Sequence, residues 1–398
     1  MTFSLENLPA PQRRAFDLIK EVASEKKLRP YLVGGPVRDL LLGRSVIDLD
    51  FTIEDDSSAL ARGIAKRING RVRSFPQFLT YKVTAEDFPV IDIATARSEK
   101  YRQAGALPSV SPGTLADDLL RRDFSINAIA LDITSDQVHD PTGGQRDLED
   151  QTIRVLHDLS FIDDPTRIFR AIRLATRLGF AMELNTEESM RGAIAAGALA
   201  TVSRERLWRE LFLAFEEDRA AQVIDTLNRS GALEVLFGRR EIEPEWLDRV
   251  ERVANANPSL DRQALFLSAI LNGDASPVDL EGSGLSQQRA RVVMQIANEV
   301  PRYTDALTEA ATDLERFKAL KLASPELLAI LPSEQVGKYR EYQNFRIALK
   351  GSDLEVSPGP HIAKALERTR EAVFTGEINP EEARTFAREM AIKYLEKE

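Results

Sequence analysis

The spacing of apolar and polar residues changes character twice along the chain. Phe16, Leu18, Ile19 and Val22 recur at helical spacing and predict a first helix over residues 9–28. From Tyr31 to about residue 140 the apolar positions come in short runs. YLVGG predicts a strand ending on two glycines, and DLDFTI a second strand in which acids alternate with apolar residues. RVRSFPQFLTYKVTA and PVIDIATA predict one strand each, and SINAIALDI another before the turn DPTGG. After Gly144 the spacing switches to three and four, so that RIFRAIRLATRLGF, RERLWRELFLAF and RAAQVIDTLNRSGALEVLF all predict helices. Asn257-Pro258 and residues 273–277 predict breaks between helices, 349–360 a loop, and Asn379-Pro380-Glu381-Glu382 a capped helix start. The pattern is an α/β front followed by a long helical remainder.

Composition narrows this picture. At 398 residues the chain is too long for one ordinary compact domain. A net charge of −10 argues against a surface that is basic throughout, but leaves room for a local basic track. The absence of cysteine excludes disulfides, zinc ribbons and cysteine nucleophiles. MTFSLENLPAPQRRAF has no apolar segment of signal-peptide type, and no run approaches the roughly 18 apolar residues of a spanning helix. A cytoplasmic protein without a membrane partner is expected.

Candidate chemistry begins at Gly34 and Gly35. Two glycines between a strand and a helix let backbone N–H groups approach a phosphate, and Arg38 one turn later can add charge-assisted bonds. The same pair also suits a plain tight turn. Asp48 and Asp50 lie two apart on an apolar strand and therefore on one face. Two like charges there need compensation, and a divalent cation such as Mg2+ supplies it. Metal held in this way can activate a 3′-hydroxyl and steady a leaving pyrophosphate. Asp92, on the strand VIDIA, is either a third metal-side carboxylate or the partner of a nearby arginine such as Arg97.

GGPVRD, DLDFT, RRDFSINA at 121–128, DPTGGQRDL at 140–148 and DDPTRIFRAIR at 163–173 follow one another in an order that resembles the class II tRNA nucleotidyltransferases. That family includes CCA-adding, CC-adding and A-adding enzymes and bacterial poly(A) polymerases. The resemblance runs continuously to about residue 240 and resumes in GSDLEVSPGPHIAKALERTREAVFTGEINPEEA. It implies an α/β nucleotidyltransferase head followed by an all-α neck, body and tail, a multidomain, seahorse-like arrangement. On that basis residues 1–143 are the catalytic head, 144–215 the base-reading neck, 216–275 the body and 276–398 a tRNA-binding tail.

The resemblance also assigns residues. It gives Gly34, Gly35, Arg38 and Arg122 to the incoming nucleotide, Asp48 and Asp50 to catalysis and Mg2+, and Asp123 and Asn127 to the choice of ribose over deoxyribose. Asp164 and Arg167 match the family's acid and arginine that pair with the incoming base, although Asp163 stands where the family has Glu. The chemistry is sound. Cytosine and adenine each offer an exocyclic amino donor beside a ring-nitrogen acceptor, which a carboxylate and a guanidinium match. Guanine and uracil present the reverse and would leave buried groups unpaired. No acid occurs from Thr166 to Ala181, so Arg170, Arg173 and Arg177 form an arginine face suited to phosphate. Similarity adds Arg170 and Arg173 to the nucleotide set, and gives the S-x-E-R segment at Ser203–Arg206 a supporting role.

The activity this implies is template-independent synthesis of the CCA end of tRNA from CTP and ATP, with release of pyrophosphate. Addition of only the terminal A to tRNA ending in CC is the alternative, because ARSEKYRQAGALPSVSPGT at 96–114 resembles A-adding relatives. Poly(A) polymerase and an inactive RNA-binding scaffold are remoter. The three histidines, His139, His157 and His361, do not suggest the metal-binding His-Asp pairs of the phosphohydrolase domain that some relatives carry.

Overall fold

The structure is a computed structural model that describes residues 8–101 and 103–396. The first seven residues of the N-terminal stretch, and Arg102 of the 96–114 segment, lie outside the described residues. The chain forms two compact units that divide between Arg239 and Arg240.

The first unit opens with α1 (Ala10–Lys26), β1 (Pro30–Val33), α2 (Gly35–Leu41), β2 (Leu49–Ile53) and α3 (Ser57–Arg67). There follow β3 (Arg71–Phe75), β4 (Thr80–Ala85), β5 (Phe88–Thr95), β6 (Arg97–Lys100), β7 (Ser109–Pro112), α4 (Leu115–Leu120), β8 (Ala130–Asp132) and β9 (Gln137–His139). Seven strands make one sheet in the order β3-β4-β5-β2-β1-β8-β9, in which only β2 and β5 run parallel.

The two faces of this sheet are treated differently. On one face α1 and α3 lay Phe16, Ile19, Leu60 and Ile64 over Phe51, Ile91 and Ile93, all essentially without solvent exposure. The other face is covered at its β1 and β8 end, where Leu115 and Leu119 of α4 close on Tyr31, Val33 and Ala130. Alternation along β2 then turns Asp50 to the side opposite Leu49 and Phe51, at the margin of that cover.

Two sequence expectations change, and segment 96–114 gains a structure on which the sequence was silent. Residues 71–85 form a hairpin instead of one strand, because Pro76 lacks an N–H for the ladder and Leu79 takes a left-handed conformation (φ 53°) that reverses the chain. SINAIALDI begins with a 3-10 turn, Ser125–Asn127, and pairs only from Ala130. In segment 96–114, β6 and β7 pair as a separate antiparallel ribbon.

The helical remainder of the first unit comprises α5 (Gly144–Glu149), β10 (Thr152–Ile153), α6 (Ser160–Asp163), α7 (Arg167–Leu178), β11 (Ala181–Met182), α8 (Leu184–Ala195), α9 (Arg204–Phe215), α10 (Ala220–Arg229) and α11 (Glu234–Phe237). β10 and β11 pair in parallel. Helix α7 buries Ile168, Ala171, Ile172 and Leu178 along one stripe and ends at Gly179, whose φ of 74° closes the last turn.

The second unit runs from α12 (Pro244–Ala256) through α13 (Arg262–Ile270), α14 (Gln287–Glu309), α15 (Asp313–Leu320), α16 (Pro325–Ile330), α17 (Ser333–Asn344) and α18 (Pro360–Phe374) to α19 (Ala383–Leu395). Phe317 stacks on Tyr342 at 4.7 Å and Phe374 meets the same ring edge-on at 5.4 Å. Asn379 caps its turn reciprocally with Glu382, as its sequence predicts. No helix among the described residues is long and apolar enough to cross a membrane.

Candidate functional site

A cleft of about 550 Å3 opens in the first unit, between the sheet's β1–β2 end and helices α7 and α9. Gly34, Gly35, Asp50, Arg122, Asp123 and Asn127 line it from the sheet side. Asp164, Arg167, Arg170 and Arg206 line it from the helical side.

The glycine turn is built as the sequence suggests. Gly34 precedes α2 with φ 75° and ψ −135°, and a Cβ placed there would sit 2.7 Å from Arg122 Nη1. The backbone conformation requires glycine, and a side chain there would push the Arg122 guanidinium aside. Arg122 is held by Asp118, whose Oδ2 accepts from Nη2 at 2.9 Å, while Arg122 Nε is buried with no partner. Asp118 also takes Arg121 at 2.7 Å. Burial would raise the Asp118 carboxyl, but the two guanidiniums hold it below its ordinary value.

The carboxylates of β2 have no such balance. In the parallel register Asp50 lies opposite Asp92, and Asp92 in turn meets Lys82 Nζ at 2.8 Å. Lysine, not Arg97, is the partner of Asp92; Arg97 turns to Glu99 and the Phe78 carbonyl. Burial first, then the charges of Asp92 and Asp48, push the Asp50 carboxyl up to about 6 against the relief given by Arg122 and Lys82. Asp48 sits just before the strand, exposed, and does not line the cleft. No group of three or more His, Cys, Asp or Glu side chains among the described residues could hold a metal by itself. The donor set is instead two close acidic residues short of positive charge, which fits a cation such as Mg2+ that completes its shell with phosphate oxygens and water.

Across the cleft a chain of bonds ties α7 to the sheet. Arg170 Nε donates to Asp123 Oδ2 at 2.9 Å, Asn127 Nδ2 donates to Asp123 Oδ1 at 2.9 Å, and Arg38 Nη1 donates to Asn127 Oδ1 at 2.8 Å. Asp123 is 8% exposed. Burial would raise its carboxyl, yet Arg170 and Asn127 hold it well below the usual carboxylate range. Arg38 is itself buried and paired with Asp39, and it reaches this network from behind the cleft.

Asp164 and Arg167 share the cleft but do not pair with each other. Asp164 Oδ1 accepts from Thr166 Oγ1 at 2.7 Å and Arg206 Nη2 at 2.8 Å. Arg167, 5% exposed, donates from Nη1 to Ser160 Oγ at 2.5 Å and from Nη2 to the Arg121 carbonyl at 2.9 Å. Arg206 also donates from Nη1 to the carbonyl of Gly105 at 2.9 Å, and Gly105 N–H donates to the Asp163 carbonyl at 3.2 Å. The tip of the β6–β7 ribbon is thereby fastened to the helices.

The arginine face of α7 is not unbalanced once folded. Arg173 bonds Glu210 at 2.9 Å and Glu217 at 3.1 Å, and Arg177 bonds Glu217 at 2.8 Å. Arg173 lies outside the main cleft and lines a small adjoining cavity of about 120 Å3. The acids come from α9 and the turn after it, some forty residues on, so no local window could reveal them. Sequence reading missed Glu210 and Glu217 for that reason, and missed Asp118 although it lies three and four residues before Arg121 and Arg122, a local spacing that could have found it. It gave Arg206 a supporting role without the loop contact, and it missed Tyr101, a cleft residue whose hydroxyl donates to Glu99 and is pushed up to about 12 by burial.

Comparison with known proteins points to one family. Residues 30–154 match the family described as Poly A polymerase head domain, and residues 179–245 match Probable RNA and SrmB- binding site of polymerase A. The chain is 42% identical over 213 residues to an A-adding tRNA nucleotidyltransferase of Aquifex aeolicus, a stretch covering 53% of this chain and 26% of that protein. It is 30% identical to the A-adding tRNA nucleotidyltransferase of Halalkalibacterium halodurans over 93% of this chain and 90% of that one. With the Multifunctional CCA protein of Pseudomonas fluorescens it shares 33% identity over 82% and 78% of the two chains. Among solved structures, a CCA-adding enzyme in an apo form superposes with a TM-score of 0.82 at 26% identity, covering 99% of this chain and 97% of that one. A tRNA nucleotidyltransferase complexed with a primer tRNA and an incoming ATP analog gives 0.69 at 30% identity, covering 82% and 97%. The glycine turn, Asp50 on β2 and the helical wall facing them thus come with full-length likeness in sequence and fold, and the chain belongs to the tRNA nucleotidyltransferase family.

Proposed function

We propose that this chain builds the CCA end of tRNA, transferring nucleotides from CTP and ATP to the 3′-hydroxyl of the RNA and releasing pyrophosphate. The observation that carries this reading is the convergence in one cleft of Asp50, Gly34 and Arg122 with Asp164 and Arg167 facing them. Asp48 and Asp50 would hold Mg2+, which when bound supplies charge neutralisation to the reacting hydroxyl and the leaving pyrophosphate. The Gly34–Gly35 turn, with Arg122 beside it, receives the triphosphate. Asp123 and Asn127, fixed by Arg170 and Arg38, present their edge of the cleft to the ribose. The primer hydroxyl forms a new bond to the α-phosphorus, the α–β phosphoanhydride bond breaks, and the hydroxyl proton passes to solvent.

Asp164 and Arg167 read the base. Thr166 and Arg206 bond only Oδ1 of Asp164, and two of the five donors of Arg167 are committed to Ser160 and Arg121. What remains is an acceptor and a donor of the kind that the amino group and ring nitrogen of cytosine or adenine require.

A second reading, addition of the terminal A only, is favoured by the fastening of Gly105. A pocket that serves both C and A must shift Asp164 and Arg167 between additions. Arg206 ties Asp164 to the ribbon tip, and a Cβ at Gly105 would lie 2.2 Å from Thr201 Oγ1, a tight seat. The relatives named for A addition, at 42% and 30% identity, point the same way. A tRNA transcript ending at the discriminator base, given CTP, ATP and Mg2+, separates the two. Three added nucleotides support CCA synthesis. No extension there, with one A added to tRNA ending in CC, overturns it in favour of A addition.

A further inference from the structure

One row of side chains leads from Asp50 across the open face of the sheet, and beyond Asp50 the cleft does not use it. Cross-strand register places Asp50 beside Asp92, Asp92 beside Lys82, and Lys82 beside Arg73. With strands about 4.8 Å apart, the row runs about 14 Å from β2 to the edge strand β3. Period-two alternation puts Arg71 and Phe75 on the same face as Arg73. Arg71 and Arg73 are exposed, Phe75 is partly so, and the Arg73 guanidinium sits 4.9 Å from the Phe75 ring centre. The opposite side of β4 and β5, with Val83, Ile91 and Ile93, is buried under α1 and α3, while β3 at the edge is exposed on both sides.

The direction of this row matters. The cleft reaches Asp50 from the β1 side and takes no lining residue from β3, β4 or β5. Displacement at phosphorus needs the attacking and leaving oxygens in line, on opposite sides of the α-phosphorus. A nucleotide seated in the cleft therefore leaves the β5–β4–β3 side of Asp50 for the attacking hydroxyl. The row ends there in two exposed cations and a ring, the pairing that tracks a single-stranded backbone and stacks a base. On an acidic chain, a basic and aromatic strand beside the acidic pair is a local complement to RNA.

We propose that the open face of β4 and β3 is the track for the last few nucleotides of the primer RNA, with Arg71 and Arg73 contacting phosphates and Phe75 stacking a base. This rests on the nucleotidyltransferase reading above and assigns its primer path. Arg71, Arg73 and Phe75 are positioning residues that bring the 3′-hydroxyl to Asp50.

The test is Arg71→Ala/Arg73→Ala, assayed for addition to tRNA ending in CC across a range of tRNA, ATP and salt. The KM for tRNA should rise on the order of tenfold while the KM for ATP and the rate at saturating tRNA stay within about twofold. The slope of log kcat/KM against log salt should flatten by about 1.4, or about 0.7 for each lost phosphate contact on a single strand. Phe75→Ala should raise the KM for tRNA and Phe75→Tyr restore it. An unchanged KM and salt slope, or a parallel rise in both KM values, overturns the track. A readout independent of turnover is a tRNA with a photoreactive base three nucleotides from its 3′ end. It should crosslink to the peptide containing Phe75, and crosslinking only to peptides from α7 to α9 overturns the proposal. Failure of the functional reading would show separately, as wild-type protein that extends no tRNA.

Discussion

The two walls of the cleft handle charge in opposite ways. On the sheet side, Asp50 is half-buried beside Asp92 with Asp48 nearby, and its carboxyl is pushed up to about 6. On the helical side, Arg170, Arg173 and Arg177 each meet an acid, and Asp123 is held in its charged form by Arg170. Both walls carry a dense set of ionisable groups from motifs of the same family. The sheet wall crowds one acid against others, whereas the helical wall pairs its acids with arginines and keeps Arg167 among neutral partners. The difference separates a place that awaits a ligand from a frame that holds two layers together. A buried, paired network gains geometry, whereas a buried acid without a cation destabilises the empty fold.

The largest expected effect breaks the sheet wall. Asp50→Ala should lower nucleotide incorporation on the order of 10³-fold or more, measured in single turnover with tRNA binding retained. The same wall gives a stability signature of opposite sign. The folded carboxyl of Asp50 titrates at about 6, above its ordinary value, so its stabilising contribution is present at low pH and lost as pH rises through about 6. Without metal at pH 8, Asp50→Asn should therefore be more stable than wild type by roughly 2–3 kcal/mol. A less stable variant would contradict the account.

Breaking the helical wall comes next. Arg170→Ala removes the half-exposed cation of buried Asp123 and should cost about 1–3 kcal/mol in urea unfolding, although the first unit keeps its apolar core. A loss below about 0.5 kcal/mol would mean that Asp123 is adequately served by Asn127 and the Phe124 N–H. Between the walls, Asp164→Ala or Arg167→Ala should narrow the preference for CTP and ATP over UTP and GTP by about 10- to 100-fold, read from kcat/KM ratios. Loss of activity with unchanged ratios would move base choice elsewhere in the cleft. The smallest effect is thermal. Mg2+ at about ten times its Kd should stabilise wild type by roughly 1.4 kcal/mol, and Asp50→Asn should abolish that gain.

Most of the first unit was legible because its signals are local. The glycines at 34 and 35 sit where a strand meets a helix, and Gly34 has the positive φ that such a turn uses. The apolar stripe of α7 is read from spacing three to four residues apart, and that stripe is the buried one. In the second unit too, Asn379 caps a turn with a residue three on. Where local texture misled, a single residue overrode it. Pro76 converts an expected strand into a hairpin, and in doing so creates the edge strand that carries Arg71 and Arg73.

The sequence by itself determined the identities that the chemistry needs and the order in which they occur: two glycines, two aspartates, RRD, and an acid and arginine three apart. Tertiary structure alone decided which of those charges remain available. Arg173 is neutralised by Glu210 and Glu217, Asp164 is shared with Arg206, and Asp92 is matched by Lys82. None of these pairings has a sequence signature, because a charge interaction is fixed by distance and by exclusion of water, and both depend on contacts ten to more than forty residues apart. Helical and strand periodicity, by contrast, are properties of neighbouring residues and can be read before the chain folds.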